Sequence, residues 1–206
     1  PEDVDTDWAA RRQLADAVRH LTEQCVRTEA DAGRLEMAAE LVQQAAALLP
    51  TGRTAAEAFV DQSYFELPGR WIDRGAMSGR SNPIAPPMKV EMDGGTARCT
   101  LTLDERYVGA PGIVHGGILA ACFDQVCGHC AVAQGYPGLT VQLEVRYLEP
   151  ANVHTEIHFE AEISETSGRQ VTVTATCTRD GRTLATGRAV FVVLAKGQVP
   201  EIFGGG

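Results

Sequence analysis

The sequence predicts an α+β fold in which a curved antiparallel sheet wraps one long apolar helix, with a helical extension at the N-terminus. Residues 9–49 carry apolar side chains at helical spacing, and residues 116–135 are almost wholly apolar. Four strand-like runs, separated by turn residues, follow the apolar stretch. A helix that is apolar on all sides belongs inside a fold, and successive hairpins build an antiparallel sheet.

Chain length and charge narrow the function classes. With 206 residues, the chain is long enough for one domain with a full core and an extension, or for two small domains. The net charge of −9 disfavours nucleic-acid binding. The first residues are acidic where a signal peptide is basic, and apolar runs such as 189–195 are too short to cross a bilayer. We therefore predict a cytoplasmic protein with no membrane span and no nucleic-acid partner.

Residues 1–50 are predicted to form a helical arm. Their apolar stripe is expected to break near Asp31-Ala32-Gly33, giving two helices instead of one rod. A coiled coil is the alternative, although the seam residues Thr28 and Ala32 are weak. We expect the arm to lie on its own domain or on a partner subunit. The stripe consists of Leu14, Val18, Leu21, Cys25, Thr28, Ala32, Leu35, Ala39, Val42, Ala46 and Leu49.

Residues 51–88 are rich in proline and glycine and are predicted to be a linker and loop region. Within it, Gly79–Pro83 comes close to the G-x-S-x-G turn of serine hydrolases but ends in proline. No nucleophile is therefore assigned there. Asn82 of this loop is kept as a substrate-binding candidate.

Residues 89–196 are predicted to form the main domain, with a tail at 197–206. A hairpin turn at Asp93–Gly95 precedes the strand Thr96–Leu103, and the apolar helix follows at Gly116–Gly135. One buried helix wrapped by an antiparallel sheet is the hot-dog architecture. The later strands, the last two joined by Asp180-Gly181, are Thr140–Tyr147, Thr155–Ser164, Arg169–Arg179 and Thr183–Leu194.

The segment from Cys127 to Cys130 reads Cys-Gly-His-Cys, which matches the active site of disulfide oxidoreductases. In those enzymes the motif opens a helix, where the helix dipole activates the first thiol. Here it comes about ten residues into the apolar helix, past any useful terminus. A zinc site with Cys122 and His129 also fails, because residues 129 and 130 point about 100° apart on a helix. We predict buried core thiols, with no metal and no cofactor.

Two features just upstream of that segment suggest a binding or catalytic site. His115-Gly116-Gly117 opens the apolar helix, where glycines leave backbone N–H groups accessible to a ligand oxygen. Asp124 is the only carboxylate of this helix, and its helical neighbours are small. Each feature alone has a structural explanation, either tight packing or a satisfied buried polar group. An isolated carboxylate is nevertheless costly there unless it meets water, a donor or a substrate.

Together these residues resemble the PaaI-type acyl-coenzyme A thioesterase branch of the hot-dog superfamily. The resemblance covers residues 79–194 and rests on Tyr107-x-Gly-x-Pro-Gly-x-x-His-Gly-Gly, on Asp124 and on the strand Thr140–Tyr147. Many relatives carry asparagine six residues before the motif histidine, where this chain has Gly109. In this respect the chain is closer to the mammalian mitochondrial long-chain members, which share the Gly-x-Pro-Gly turn.

The resemblance implies hydrolysis of acyl-coenzyme A thioesters to free acid and coenzyme A. Asp124 would be the nucleophile or the general base, and the Gly116 N–H the oxyanion donor. Thr140 would orient water or substrate, and His115 would position the site. The expected substrate-binding residues are Gly117, Gly109, Asn82, Arg146 and Arg169, the two arginines facing coenzyme A phosphates unless they are simply solvated.

The spacing of Gly116 and Asp124 also predicts a homodimer with shared active sites. Eight residues of helix separate them by about 12 Å, so one helix cannot bring both groups to one thioester. Two antiparallel central helices in a twofold dimer can. The family resemblance implies the same arrangement, as a dimer or a dimer of dimers.

Two other functions are weighed against hydrolysis. An acyl-coenzyme A sensor that regulates transcription would need a basic DNA-binding segment, but residues 1–50 hold ten acidic residues and five arginines. A dehydratase would need a further histidine paired with the acid, and His129, His154 and His158 have no such placement in the sequence.

Overall fold

The computed structural model describes residues 6–54, 57 and 72–193. The predicted tail at 197–206, the end of the last strand at Leu194 and much of the predicted linker lie outside the described residues. The elements in chain order are α1 (Thr6–Arg27), α2 (Ala32–Ala47), β1 (Val90–Asp93), β2 (Thr96–Thr102), a short 3-10 helix (Glu105–Tyr107), α3 (Gly116–Ala133), β3 (Gly138–Tyr147), β4 (Glu156–Ser167), β5 (Gln170–Arg179) and β6 (Arg182–Val193).

The six strands form one antiparallel sheet in the order β1-β2-β4-β5-β6-β3. The predicted turn between β5 and β6 is confirmed: Asp180 and Gly181 both have positive φ, at 49° and 76°. Two such residues in succession are typical of a tight hairpin whose twist matches that of its strands. The sheet order leaves β3 and β1 at the two edges, and β3, with ten residues, is the long one.

α3 packs against all six strands, so the predicted α+β fold with a wrapped central helix is confirmed. Phe123 meets Phe159 of β4 edge to face, with ring centroids 5.0 Å apart. On β6, a Cβ at Gly187 would lie 2.5 Å from the Phe123 ring, so only glycine lets the sheet approach the helix this closely. Burial of each such aromatic side chain contributes about 1.5–3 kcal/mol.

α3 is also long and apolar enough, by length and composition, to cross a bilayer. The apolar run that passes this test is therefore the central helix. The prediction of no membrane span was based on shorter runs such as 189–195 and did not consider this helix. Helices in the core of globular folds pass the same test. The apolar composition of α3 is explained by its packing inside the sheet.

The N-terminal arm divides into two helices, as predicted. α1 ends at Arg27, and Asp31 caps α2 by accepting a 3.0 Å hydrogen bond from the Arg34 N–H. α1 lies on its own domain: Ala15 is 2% exposed, and Arg12 pairs with Asp73 at 3.1 Å. By contrast, no residue of α2 is buried against the described part of the chain. Its exposed apolar side chains include Leu35, Met37, Leu41 and Val42.

Candidate active site

His115 caps the start of α3 and uses one of the two glycine N–H groups. Its Nδ1 accepts a 2.9 Å hydrogen bond from the Gly117 N–H, which places the proton of the neutral ring on Nε2. The expectation that both glycine N–H groups are open to a ligand is therefore wrong for Gly117. The Gly116 N–H has no acceptor among the described residues. Gly116 is thus the free backbone donor in this turn.

Asp124 is half-buried on α3 and accepts a 2.8 Å hydrogen bond from the Thr140 hydroxyl of β3. The two residues are sixteen positions apart in sequence, and the packing of α3 on β3 brings them together. The bond is made to Oδ1, and no described residue donates to Oδ2. One carboxylate oxygen is therefore held in place while the other is available for chemistry.

A β-bulge aims Thr140 at the helix. β3 pairs with β6 through Thr140↔Phe191 and Gln142↔Val190, so the register shifts at Val141. Alternate residues of a strand face opposite sides, and Leu143 lies on the side that packs against the core. Without the extra residue, Thr140 would face away from α3. Bulges of this kind re-aim side chains next to functional sites.

A mainly apolar pocket of about 350 Å³, which Glu149 also lines, lies beside the Gly116 end of α3. Tyr147, at the end of β3, borders this pocket and donates a 2.7 Å hydrogen bond to the Gly116 carbonyl. Tyr147 is not among the site residues predicted from the sequence. Strand alternation puts Tyr147 on the same side of β3 as Leu143 and Val145, so its position facing the helix could have been predicted. The peptide group to which it donates could not. The apolar side chains lining the pocket are Ile113, Val114, Leu119, Leu148, Pro150 and Ala151.

Close packing explains why residue 109 is glycine, and this packing could not be predicted from the sequence. A Cβ at this position would lie 2.8 Å from the His115 Cα, so a side chain would displace the motif histidine. Its N–H donates to the Ile113 carbonyl at 2.9 Å, which closes the loop before α3. An asparagine at this position would therefore not fit between the two closely approaching backbone segments.

Among the described residues, none of the other candidate substrate-binding residues is hydrogen-bonded to Asp124. The Asn82 side chain donates to the Arg74 carbonyl at 2.9 Å and accepts from the Ile84 N–H, so it organises its own loop. Arg169 donates to the Val193 carbonyl at 3.0 and 3.1 Å. Arg146 is exposed and lines a groove with Glu160 and Arg188 on the sheet face opposite α3. Coenzyme A binding by these three residues stays a prediction.

The Cys-Gly-His-Cys segment lies in the core. Cys127 and Cys130 are both fully buried, as predicted. Burial raises the pKa of the Cys127 thiol to about 12, helped by the neighbouring Cys130 and Asp124. Since the thiolate is the reactive form, this thiol is inert near neutral pH.

Comparisons with known proteins agree on one family for this region. Residues 111–193 match the sequence model of the thioesterase superfamily. Mouse acyl-coenzyme A thioesterase THEM4 is 32% identical over 88 residues, which are 42% of this chain and 38% of the relative. Human acyl-coenzyme A thioesterase 13 is 25% identical over 112 residues, which are 50% of this chain and 70% of the relative. The chain thus spans well under half the length of the mouse relative.

The likeness to a solved structure extends over most of the chain. A crystal structure of a thioesterase superfamily protein superposes with a TM-score of 0.74 at 26% identity and covers 93% of both chains. The predicted hot-dog fold is thereby confirmed.

Proposed function

Residues 111–193 form a thioesterase superfamily domain, and from this we propose that the chain hydrolyses acyl-coenzyme A thioesters to free acid and coenzyme A. The observation that carries the proposal is the pair Asp124–Thr140. A half-buried carboxylate is held at one oxygen by a hydroxyl, on a helix that also presents a free N–H at its start. Similarity to proteins named acyl-coenzyme A thioesterase supports the substrate class.

In the proposed reaction, Asp124 acts on the thioester carbonyl carbon. Its free Oδ2 either attacks that carbon directly, giving an anhydride that water then cleaves, or removes a proton from an attacking water. Both routes use the same oxygen and leave Oδ1 bonded to Thr140. Thr140 holds the carboxylate in one orientation, so that Oδ2 faces the substrate.

The Gly116 N–H stabilises the negative charge that develops on the thioester oxygen. A backbone donor at a helix N-terminus suits this role, because the helix dipole adds to the hydrogen bond. Coenzyme A leaves as a thiolate, whose conjugate thiol has a pKa near 8.5. The leaving group therefore needs no strong general acid.

We propose that each active site combines Gly116 of one protomer with Asp124 of its partner. Within one α3 the two residues are separated by about 12 Å of helical rise, too far for one thioester group. Two surfaces support association. β3 is a long edge strand, and the unpaired N–H and C=O groups of such a strand can pair with a second chain. Val141 of this strand and Val132 of α3 are also exposed, at 58% and 56%.

The acyl group is proposed to enter the apolar pocket beside Gly116. This pocket lies next to the oxyanion donor and is bordered by aliphatic side chains such as Leu119 and Leu148. A carbonyl bound at Gly116 would direct one of its substituents into the pocket. Hydrophobic transfer of an alkyl or aryl group then favours binding by roughly 0.8 kcal/mol per buried methylene.

The proposal is tested by incubating the protein with acyl-coenzyme A esters from acetyl to palmitoyl, and phenylacetyl, in the presence of a thiol-trapping dye. We expect release of coenzyme A by the wild-type protein. Asp124→Asn should fold normally and lose on the order of 10²-fold or more in turnover. Tight binding of the esters without release would instead assign a sensing function. A variant with near-wild-type turnover would remove Asp124 from the mechanism.

A further inference from the structure

One peptide group at the start of α3 is hydrogen-bonded at both of its polar atoms by side chains. Its carbonyl is that of Gly116, which accepts from the Tyr147 hydroxyl at 2.7 Å. Its N–H is that of Gly117, which donates to Nδ1 of His115 at 2.9 Å. The hydroxyl, the peptide group and the imidazole thus form one continuous chain of hydrogen bonds. Such chains polarise their members and strengthen one another.

The held peptide group is adjacent to the candidate oxyanion donor. The Gly116 N–H belongs to the preceding peptide group and is joined to the held one through a single Cα. Glycine gives this Cα the largest backbone freedom of any residue, and two glycines follow one another here. Restraining the Gly116–Gly117 peptide group therefore restrains the direction of the Gly116 N–H.

The Tyr147 ring restrains the same residue by contact. A Cβ at Gly116 would lie 3.4 Å from Cζ and from the hydroxyl oxygen of Tyr147, so the ring covers this face of the turn. The ring is half-exposed and forms part of the wall of the apolar pocket that borders Gly116. Tyr147 therefore contacts both the donor turn and the place where the acyl group is proposed to lie.

We propose that Tyr147 is a positioning residue for the oxyanion donor, acting with His115 on the Gly116–Gly117 peptide group. The inference rests on the proposed thioester hydrolysis. Tyr147 does not contact the reacting atoms, because its hydroxyl is hydrogen-bonded to the Gly116 carbonyl. It aims the Gly116 N–H at the thioester oxygen, which gains charge only in the transition state. Loss of the hydroxyl should therefore lower kcat and leave KM almost unchanged.

The test compares Tyr147→Phe with Tyr136→Phe. Both remove one hydroxyl and keep the ring, and Tyr136 lies beyond the far end of α3, half-buried against the core. We expect Tyr147→Phe to lower kcat about tenfold with KM within about twofold, as for loss of one aligned hydrogen bond. Tyr136→Phe should retain wild-type kcat and KM. Equal kcat values for wild type and Tyr147→Phe would overturn the proposal.

A double-mutant cycle tests the joint action on one peptide group. If His115 and Tyr147 restrain the same group, the loss in kcat for His115→Ala combined with Tyr147→Phe should be smaller than the product of the single losses. Independent, multiplicative losses would contradict a shared role.

A measurement that does not use activity separates this inference from the proposed function. In ¹⁵N–¹H spectra, Tyr147→Phe should shift the Gly117 amide resonance and speed its hydrogen exchange, whereas Tyr136→Phe should not. An unchanged Gly117 amide would refute the restraint even in an active enzyme. If the wild-type protein releases no coenzyme A from any ester, the proposed function fails, and the amide measurement still decides whether Tyr147 orders the turn.

Discussion

The hydroxyl of Thr140 donates a 2.8 Å hydrogen bond to Oδ1 of Asp124, and this bond connects the edge strand β3 to the central helix α3. The bond also fixes the orientation of the carboxylate group. The consequence for chemistry is that Oδ1 is held by Thr140, while no described residue donates to Oδ2. Because of this bond, the role of the carboxylate can be tested by substituting Thr140 on β3.

Replacing Thr140 with valine removes the hydroxyl and keeps the shape of the side chain. We expect kcat to fall about tenfold or more, because Asp124 loses its orienting donor. Thr140→Ser keeps the hydroxyl and should retain most of the activity. Steady-state kinetics on the best ester distinguish the two variants. Equal rates for Thr140→Val and Thr140→Ser would show that the hydrogen bond has no part in catalysis.

Hybrid dimers test whether sites are shared between protomers. Gly116→Pro removes the candidate donor N–H at a position where proline suits a helix, since Gly116 is the first residue of α3. His115 before it has φ −61° and ψ 129°, which a residue preceding proline accepts. Mixed with Asp124→Asn, this inactive variant should restore activity toward half of wild type, because one site per dimer regains both groups.

Circular dichroism must show that both variants fold, and each must be inactive alone. Purified hybrids that remain as inactive as their parents would place Gly116 and Asp124 of one chain at the same site. Size-exclusion chromatography of the wild type supplies the oligomeric state that the experiment assumes.

Thiol reactivity should separate Cys25 from the other five cysteines. Cys25 is exposed, whereas Cys99, Cys122, Cys127, Cys130 and Cys177 are buried. Burial raises the pKa of the Cys127 thiol to about 12, so a thiol reagent at neutral pH should modify one cysteine in the native protein and six after unfolding. Rapid modification of more than one native thiol would contradict this.

The pair Cys127→Ala and Cys130→Ala should keep thioesterase turnover within about tenfold, since both thiols lie in the core. The expected cost is in stability, about 1–3 kcal/mol per position from lost packing. Reduction of insulin disulfides by the wild-type protein, with loss of that activity in the double variant, would assign the segment to redox chemistry.

Asp73 holds α1 on the domain, and its contribution should depend on pH. Burial alone would raise its pKa, but hydrogen bonds from Arg12 and Ser81 outweigh burial and keep the pKa below its ordinary value. A carboxylate with a lowered folded-state pKa stabilises the protein above the ordinary carboxyl range and loses this effect as pH falls through the folded value. Asp73→Asn should therefore cost about 1–3 kcal/mol at neutral pH.

Urea unfolding measures this difference, which should shrink as the pH falls below the ordinary carboxyl range and through the lowered pKa of Asp73. Asp16→Asn is the matched control, because Asp16 pairs with Arg19 on the same helix while its side chain is 73% exposed. The free energy of unfolding should change by less than about 1 kcal/mol in that variant. A difference for Asp73→Asn that persists undiminished at low pH would mean that the charge is not its cause.

The elements of this fold could be predicted from the sequence because they depend on local periodicity. An almost wholly apolar run defined α3, alternation and turn residues defined five of the six strands, and Asp31 marked the break between α1 and α2. Asp124 could be singled out for the same reason, since one carboxylate in an apolar helix is visible without any coordinates. The short edge strand β1 was implied by its turn without being predicted itself, and the 3-10 helix was not predicted.

The contacts between elements were decided by the tertiary structure. Strand alternation counted from Leu143 would have turned Thr140 away from α3, and only the bulge at Val141 directs its hydroxyl to Asp124. The bond from Tyr147 to Gly116 likewise depends on where the end of β3 meets the start of α3. Local pattern specifies which residues form an element and which share a face, whereas register, bulges and the crossing of helix and sheet emerge only when the whole core packs.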